Sequence, residues 1–447
     1  MASTEAQPST VDELLDRWRE QGVRNVRFEL ADMHGTSRSK MVQIEAAPAY
    51  ARHGLNMYGG TVVLDSHSDV VPGSLYNEEI GYADQLLRPD PSTGMLVPWA
   101  AATARFICDP YWHDGRPVAA APRHVFRRVL ETCNRLGYEP LIGIEYEFYL
   151  LDGEGHAPLF GGQHIFNTVR NTWVPVIEQL VDALGNYGLE IITTNCEYAG
   201  SQWEINFAPA TAMKGPDQAF SFKNAVKEIA RREGFLATFM SKPFGDGAGS
   251  GAHTHITLLE SSSGANAFAG PDPISGLSDT GRSFLAGQLA HARSIDALLA
   301  PTVNCLKRRR RHTFSPTNIS WGVEDRSAMV RIKGGAVENR HLENRAPSAM
   351  SNPYLAAAAV LGAGLLGIEG RLELGPPARS PAEDDDSLEM LPTSLEESLR
   401  ALEADPEMTE LLGEELVRAY ATVRRHELAR FADHVTDWER EEYLEIY

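Results

Sequence analysis

The sequence predicts a two-domain protein of the α+β class, with a small β-rich domain followed by a larger domain of mixed strands and helices. Three observations support this class. Short strand-like segments separated by turn residues fill the first part of the chain, and the composition then changes at Pro122, which begins an amphipathic helix. The length of 447 residues suits two or three domains. Neither a GxGxxG nor a P-loop motif is present, which argues against a Rossmann fold and a P-loop enzyme.

The first domain is predicted over residues 1–112. Its opening helix has apolar residues on one face and Gly22 at the position of a C-cap. Alternating apolar residues on either side of His34-Gly35 then indicate a β-hairpin. The predicted elements are a helix over 11–22, a hairpin over 23–44 and short strands at 96–99 and 104–110.

The second domain is predicted over residues 113–447. A strongly apolar strand follows its first helix, and helices then alternate with strand pairs. A Pro-rich acidic segment near the end is predicted to be an exposed loop. The predicted helices span 122–137, 172–187, 216–234, 280–298 and 352–370, and the loop lies at 375–394. A strand is predicted over 141–152, a strand pair over 189–208, two strands separated by a glycine-rich loop over 236–258, and further strands within 316–333.

The composition excludes several classes of function. The net charge of −20 argues against binding to nucleic acid or to anionic membranes. The most apolar segment, residues 354–368, is shorter than a membrane span and is predicted to be a buried helix. The N-terminus has no basic and apolar leader, and the four cysteines form no CxxC pair. These features predict a cytoplasmic protein with free thiols.

Two pairs of glutamates lie within strand-like segments. Glu145 and Glu147 alternate in an apolar strand and therefore share one face. Glu197 and Glu204 flank a Gly200 interruption that lets a strand turn or bulge toward one site. Neighbouring carboxylates repel each other, so a buried pair needs a cation nearby. A solvent-facing strand edge is the alternative for the first pair.

A glycine-rich loop precedes a pair of histidines. The loop allows backbone N–H groups to approach an anion, and it ends at Gly251. His253 and His255 follow on one face of a strand, which is suitable geometry for a metal ligand or a phosphate contact. An isolated HxH pair is more often structural, but the four strand-borne glutamates favour the ligand interpretation.

Cations cluster in residues 307–345 although the chain is strongly acidic overall. A run of five basic residues is followed by arginines interleaved with apolar residues, as in DRSAMVRI. A solvated or nucleic-acid-binding patch is the usual interpretation of a basic run. Arginines spread over strands instead suit phosphate and carboxylate binding. Together with the oxygen-rich ligand set, they predict phosphoryl chemistry with Mg²⁺ or Mn²⁺.

These motifs, in this order, resemble those of the glutamine synthetase family over nearly the whole chain. The matching segments are ExE, ExxxSQWE, GSGAHTH, EDRSAMVRI, HLENR with NPYLA six residues later, and WEREEYLEIY. The resemblance implies an N-terminal β-grasp domain and a catalytic domain with a curved antiparallel sheet. It also implies ATP as co-substrate, two or three divalent ions per site, and homo-oligomeric rings, usually dodecamers, with active sites between subunits.

The resemblance also implies residue roles. Metal ligands are expected at Glu145, Glu147, Glu197, Glu204, His253 and Glu343; ATP contacts at His255, Arg326, Arg331, Lys333 and Arg340; glutamate contacts at Gly249, Arg308 and Arg345; and catalytic roles at Glu197, Arg308 and Arg326. The implied reaction joins the γ-carboxylate of glutamate to an amine through γ-glutamyl phosphate.

The departures from the family concern the amine. Glutamine synthetases carry an Asp where this chain has Gly59 and a flap Glu where it has Phe314. An amine pocket formed by Tyr58, Gly59, Phe166 and Phe314 is therefore predicted to be apolar and poorly suited to ammonium. This favours an aromatic or short alkyl monoamine, aniline-like above all, as in ligases that begin amine degradation. Two further departures are His341 in place of an Arg and Ala248 in place of an Asn.

Two other hypotheses remain open from the sequence. One is an ammonia-using glutamine synthetase whose acids come from elsewhere, such as Asp65 or Asp69. The other is a non-catalytic structural or sensing member of the family. Retention of all six metal-ligand positions argues against the second.

Overall fold

The fold is described from a computed structural model that covers residues 10–162, 165–172, 174–336 and 339–447. The first nine residues, on which the sequence predicts no leader, lie outside this part of the chain. The described residues form two sheets, one of six strands and one of nine, as the α+β prediction requires. The boundary at residue 112 stays a prediction.

The N-terminal sheet is mixed. The elements of this domain are α1 (Val11–Glu20), β1 (Asn25–Ala31), β2 (Ser37–Gln43), α2 (Ala47–His53), β3 (Leu55–Tyr58), β4 (Asp84–Pro89), β5 (Met95–Leu96) and β6 (Thr103–Tyr111). The strand order is β2-β1-β6-β4-β3, and β5 also pairs with β6. Strands β1 and β2 form the predicted hairpin, and β1 runs parallel to β6 at the centre of the sheet. This is the arrangement expected of a β-grasp domain.

The local sequence explains where α1 begins and where β5 ends. Thr10 accepts a hydrogen bond from the Glu13 backbone, and the Glu13 carboxylate accepts one from Thr10, so a capping box starts α1. The strand predicted at 96–99 is shorter than expected and ends at Leu96. Pro98 has no backbone N–H to continue the ladder, which accounts for the early end.

The C-terminal sheet has nine strands among the described residues. They are β7 (Tyr138–Asp152), β8 (Ile191–Cys196), β9 (Gln202–Phe207), β10 (Ala210–Thr211), β11 (Phe235–Thr238), β12 (Ala252–Glu260), β13 (Trp321–Val323), β14 (Val330–Ile332) and β15 (Leu342–Asn344). Their order is β13-β14-β15-β12-β7-β9-β8, with β10 and β11 also pairing with β7. All pairs are antiparallel except β13 and β14.

The helices surround this sheet. They are α3 (Pro122–Arg135), α4 (Thr168–Asn171), α5 (Val176–Asn186), α6 (Lys214–Arg232), α7 (Asp279–Ala290), α8 (Ala292–Leu299), α9 (Val303–Leu306), α10 (Pro353–Glu369), α11 (Leu395–Glu403), α12 (Pro406–Leu412), α13 (Glu414–Ala432) and α14 (Asp437–Tyr443).

Two predicted helices have different bounds. The single helix expected over 280–298 is two helices, α7 and α8, which meet at His291. The helix expected from residue 172 begins after Pro175, since a proline disfavours helical geometry in the residue before it. The strand region expected over 316–333 contains only the short strands β13 and β14.

Helix α10 is the buried helix that the apolar run predicts. Its residues from Pro353 to Leu365 are all buried, and it packs closely on α7 through small residues. A Cβ added at Gly287 would lie 2.2 Å from the Ala363 carbonyl oxygen, so only glycine permits this approach. Among the described helices, none combines the length and apolarity needed to cross a bilayer. All four cysteines are buried, and none of them forms a disulfide with another described residue.

Candidate active site

The antiparallel register of the C-terminal sheet places acidic and histidine side chains next to one another. Glu147 lies opposite Glu204 on β9, and Glu145 lies opposite His253 on β12. His255 in turn lies opposite Glu343 on β15. Directly opposed residues of neighbouring strands project to the same face, so four strands contribute to one site.

Four carboxylates then face a cavity of about 250 Å³: those of Glu145, Glu147, Glu197 and Glu204. Glu197 follows directly after β8. Burial and the neighbouring glutamates raise the pKa of Glu197 to about 7 and that of Glu204 to about 10. This electrostatic conflict disappears if a cation binds between the oxygens, so the donor set fits hard divalent ions such as Mg²⁺ or Mn²⁺.

A second group of donor atoms adjoins the first. His253 Nδ1 lies 3.1 Å from Glu145 Oε1 and 3.6 Å from Glu343 Oε1. His255 Nε2 lies 3.5 Å from Glu145 Oε2. Glu145, His255 and Glu343 can each offer one ligand atom, and these three atoms all lie within 4.8 Å of one another. The resemblance assigns metal binding to His253 and phosphate contact to His255. The geometry groups His255 with Glu145 and Glu343, while His253 Nδ1 lies close to the carboxylates of the same two glutamates.

Two arginines compensate the charge of Glu343. Arg331 Nη1 donates to Glu343 Oε2 at 3.0 Å, and Arg345 pairs with the other carboxylate oxygen. Burial opposes ionisation of Glu343, but Arg345 and the two histidines outweigh it and lower its pKa to about 2. Glu343 is therefore an anion at neutral pH and can act as a ligand.

The candidate glutamate contacts lie together beside this cluster. Arg308 is buried; its Nη2 lies 3.2 Å from the Arg345 carbonyl oxygen and 3.4 Å from His253 Nε2. Burial lowers the pKa of Arg308 to about 10. Arg326 also lines the cavity and is exposed. A carboxylate entering here would meet the cationic groups of Arg308, Arg326 and Arg345, which line the same cavity.

Gly249 packs against Arg308, and this contact allows a test. A Cβ at Gly249 would lie 2.4 Å from Arg308 Cγ, so Gly249→Ala must displace the guanidinium. We expect the KM for glutamate to rise by about tenfold or more, because small displacements at a binding site have large effects. Steady-state kinetics at saturating ATP measure this.

Gly245→Ala is the matched control for this prediction. A Cβ at Gly245 meets nothing within 4 Å, so this variant should retain the wild-type KM. Equal KM values for the two variants would contradict the assignment of Gly249 and Arg308 to the glutamate site.

The candidate ATP contacts other than Arg326 do not line this cavity but lie toward β14 and β15. Arg340 Nη1 donates to the Lys333 carbonyl oxygen at 3.0 Å. His255 Nδ1 lies 3.1 Å from Nε2 of His341, the residue that replaces the family's Arg. His341 thus adjoins the site through His255, which connects the metal cluster to the ATP-side residues.

The predicted amine pocket is only partly assembled within one chain. Phe166 and Phe314 both line the cavity, whereas Tyr58 and Gly59 do not. Gly59 follows β3 in the N-terminal sheet, where a Cβ would lie 2.6 Å from the Ala83 carbonyl oxygen. The roles of Tyr58 and Gly59 therefore stay predictions that depend on a neighbouring subunit.

Sequence reasoning missed several lining residues. Phe314 stacks on Tyr198, with ring centroids 5.7 Å apart. Tyr198 follows Glu197 directly, so an aromatic residue beside a candidate ligand was an available signal. The other residues that were missed are Ile165, Gln202 and Thr313.

The acidic loop at 375–394, to which the sequence assigns no function, contacts the segment that carries Phe314. Asp386 pairs with Arg311, and the Glu383 carboxylate accepts a hydrogen bond from the His312 backbone. Glu383 is itself buried. The basic run is therefore held partly by acidic residues of this loop, which agrees with a role other than nucleic-acid binding.

Comparison with known proteins identifies this arrangement. The model of the glutamine synthetase catalytic domain matches residues 119–443. Glutamine synthetase of Mycobacterium tuberculosis is 36% identical over 82% of this chain and 86% of its own. Glutamate–isopropylamine ligase of a Pseudomonas species is 31% identical over 95% of each chain.

Solved structures give the same result. GmaS without ligand superposes with a TM-score of 0.87 at 31% identity, covering 97% of this chain and 100% of that one. The GmaS complex with ADP gives a TM-score of 0.86 at 30% identity, covering 97% and 99%. The chain has the fold of the ATP-dependent glutamate ligases and is an enzyme of that class. The chain belongs to the glutamine synthetase family.

Proposed function

We propose that this enzyme joins the γ-carboxylate of L-glutamate to an organic monoamine, giving a γ-glutamylamide, ADP and phosphate. The observation that carries the proposal is the aromatic wall of the cavity. Phe166, Tyr198 and Phe314 lie at the same cavity as the carboxylate cluster. Apart from the four clustered glutamates, the described residues that line it include no acid. An ammonium ion would lack a counter-charge at this wall, whereas an organic group would gain apolar contact.

Separate sets of residues are assigned to the two divalent ions and to the phosphates of ATP. Glu147, Glu197 and Glu204 would hold one divalent ion, and Glu145, His253 and Glu343 another. When bound, such ions supply charge neutralisation for the transferring phosphoryl group. Arg326 and Arg331, with His255, Lys333 and Arg340, would bind the phosphates of ATP.

The reaction proceeds in two steps. Gly249, Arg308 and Arg345 orient glutamate so that a γ-carboxylate oxygen attacks the γ-phosphorus of ATP. The bond between that phosphorus and the bridging oxygen breaks, and ADP leaves. The amine nitrogen then attacks the carbonyl carbon of the γ-glutamyl phosphate, phosphate leaves with the C–O bonding electrons, and the nitrogen loses a proton.

The protonation state of the free amine is a second reason to favour an aromatic substrate. An alkylamine is protonated at neutral pH and must lose that proton before it can attack. The two acids that serve ammonium in the family are replaced here by Gly59 and Phe314. An arylamine is uncharged at neutral pH and needs no such base before attack. We therefore place aniline-like amines first and short alkylamines second.

Phosphate release tests the proposal. The assay contains saturating glutamate, ATP and Mg²⁺ with ammonium, methylamine, isopropylamine, ethanolamine, putrescine or aniline. One organic monoamine should give a rate well above that of ammonium. Ammonium as the best substrate would instead identify an ammonia-using glutamine synthetase, the competing function.

Replacing Phe314 tests its role in choosing the amine. We expect Phe314→Glu to lower kcat/KM for the preferred amine and to raise that for ammonium. Together these two changes should shift the ratio of the kcat/KM values by about 100-fold, because a carboxylate at the cavity wall attracts a cation and disfavours an apolar group. Phe314→Leu is the control, since it keeps the wall apolar and should keep the preference for the organic amine. An unchanged ratio in Phe314→Glu would exclude this wall from amine selection.

The oligomer is part of the same proposal. We place Tyr58 and Gly59 at the active site of a neighbouring subunit in a homo-oligomeric ring, with a dodecamer as the expected assembly. Light scattering should then give about twelve chain masses, whereas a fully active monomer would refute shared sites.

A further inference from the structure

A second, larger cavity of about 720 Å³ lies outside the candidate active site. Its size falls within the range of about 300–1,000 Å³ that is usual for small-molecule sites. Its walls combine apolar side chains with several cations. The apolar lining residues include Leu236, Phe239, Met240, Val303, Leu395 and Leu428.

Helix α6 presents a row of cations to this cavity. Lys223, Lys227 and Arg231 all line it, and they are spaced four residues apart on one helix face. Like charges at this spacing destabilise a helix. Arg424 of α13 adds a fourth cation from another side. In a chain with a net charge of −20, this concentration of positive charge requires an explanation.

Protein partners account for two of these cations. Lys223 Nζ donates to the carbonyl oxygens of Ala349 at 2.8 Å and Ser351 at 3.2 Å. Arg424 Nη1 donates to Glu427 Oε2 at 2.7 Å. Glu427 is the only acid among the described residues that line the cavity, so its charge is already matched.

The other two cations, Lys227 and Arg231, are exposed and have weaker protein partners. Among the described residues, Arg231 donates one long hydrogen bond, of 3.5 Å, to the Gly153 carbonyl oxygen. Lys227 makes no hydrogen bond or ion pair within the described chain and lies 5.7 Å from the Phe239 ring centroid. Asp32 attracts Lys227 electrostatically, but the Asp32 carboxylate is already paired with Arg38 Nε at 2.7 Å. Arg424, in contrast, is buried, and its Nε has no hydrogen-bond partner in the part of the chain that the structure describes.

We infer that this cavity is a binding site for an organic carboxylate with an apolar body. The carboxylate would bind between Lys227 and Arg231, with Arg424 facing them, and the apolar body would contact the walls formed by Phe239, Val303 and Leu428. Such a ligand satisfies the unmatched cations and removes apolar surface from water at the same time.

The cavity adjoins the elements that hold the candidate glutamate contacts. Val303 belongs to α9, which leads directly to Arg308. Met350 lines the cavity, and Arg308 Nη1 donates to the carbonyl oxygen of Pro347 in the same segment at 3.3 Å. A ligand in this cavity would therefore contact the segment that positions Arg308 without entering the active site.

Displacement of the fluorescent anion 8-anilinonaphthalene-1-sulfonate tests the inference. The full-length protein is titrated with octanoate or octanamide while ADP and Mg²⁺ occupy the nucleotide site. Octanoate should displace the probe at a concentration about tenfold lower than octanamide, because only octanoate carries a charge. Lys227→Gln should weaken octanoate by about tenfold and leave octanamide unchanged.

Arg232→Gln is the matched control, since Arg232 is an exposed neighbour on the same helix that does not line the cavity. It should behave as the wild type. Thermal melting and ligase activity of Lys227→Gln, both expected at wild-type values, show that the variant is folded. Equal displacement by octanoate and octanamide, or equal effects of the Lys227 and Arg232 substitutions, would overturn the inference.

Discussion

Replacing Glu204 by glutamine is expected to abolish ligation while making the metal-free protein more stable. Glu204 lies opposite Glu147 in the sheet, and its carboxylate faces the shared cavity. Loss of one charged ligand should reduce kcat/KM by at least about 100-fold, since even outer partners of metal ligands cost about 10- to 100-fold. Phosphate release at saturating Mg²⁺ measures this loss.

The gain in stability has the same electrostatic cause. Burial and three neighbouring glutamates raise the pKa of Glu204 to about 10. Each unit of displaced pKa corresponds to about 1.4 kcal/mol. A glutamine removes the repulsion and can still accept the hydrogen bond from Asn206, which is 2.9 Å long. The free energy of unfolding of the metal-free variant at pH 8 should therefore rise by about 2 kcal/mol.

Glu190→Gln is the control for both measurements. Glu190 is exposed and does not line the cavity, so the substitution should change neither activity nor stability. Wild-type activity in Glu204→Gln would exclude Glu204 as a metal ligand. A lower unfolding free energy in the metal-free variant would show that the carboxylates do not repel one another as inferred.

The second large effect is a pH-dependent stabilisation by divalent cations. Without metal, the pKa values of Glu197 and Glu204 are about 7 and about 10 in the folded protein. Both exceed the value of about 4.3 for an unfolded glutamate. The folded state thus binds more protons between these values, and stability falls as pH rises from 5 to 8. The slope approaches about 1.4 kcal/mol per pH unit for each group.

A bound cation favours the ionised carboxylates and offsets this loss. The increase in melting temperature on adding Mn²⁺ to chelator-treated protein should therefore be larger at pH 8 than at pH 5. Glu343 does not contribute in this range, because its pKa of about 2 places its titration at lower pH. Glu204→Gln should flatten the pH dependence of the metal-free protein. An equal or smaller Mn²⁺ effect at pH 8 would contradict a site built from these glutamates.

Much of the active site could be predicted because its signals are local. The alternation of Glu145 and Glu147 in one strand already places both carboxylates on one face. The apolar run at 354–368 likewise predicts the buried helix α10, which the structure confirms. The ordered motifs then predict the family, which the comparisons confirm.

Other features could not be predicted because they depend on contacts between distant parts of the chain. The break between α7 and α8 lies where His291 Nδ1 is 2.7 Å from Asp405, a residue more than a hundred positions away. The stacking of Phe314 on Tyr198 joins two loops that sequence reasoning could not pair. The contact of the acidic loop with Arg311 and His312 is of the same kind.

The sequence by itself determined the fold class and the carboxylate-rich strands, and it predicts that the two ammonium-site acids of the family are missing. The tertiary structure alone decided that β7 lies between β9 and β12, so that Glu145 and Glu147 acquire their partners His253 and Glu204. It also decided which cations of α6 face the second cavity. The physical reason is that side-chain alternation and helix periodicity are set by neighbouring residues, whereas strand order and helix packing are set by burial across the whole chain.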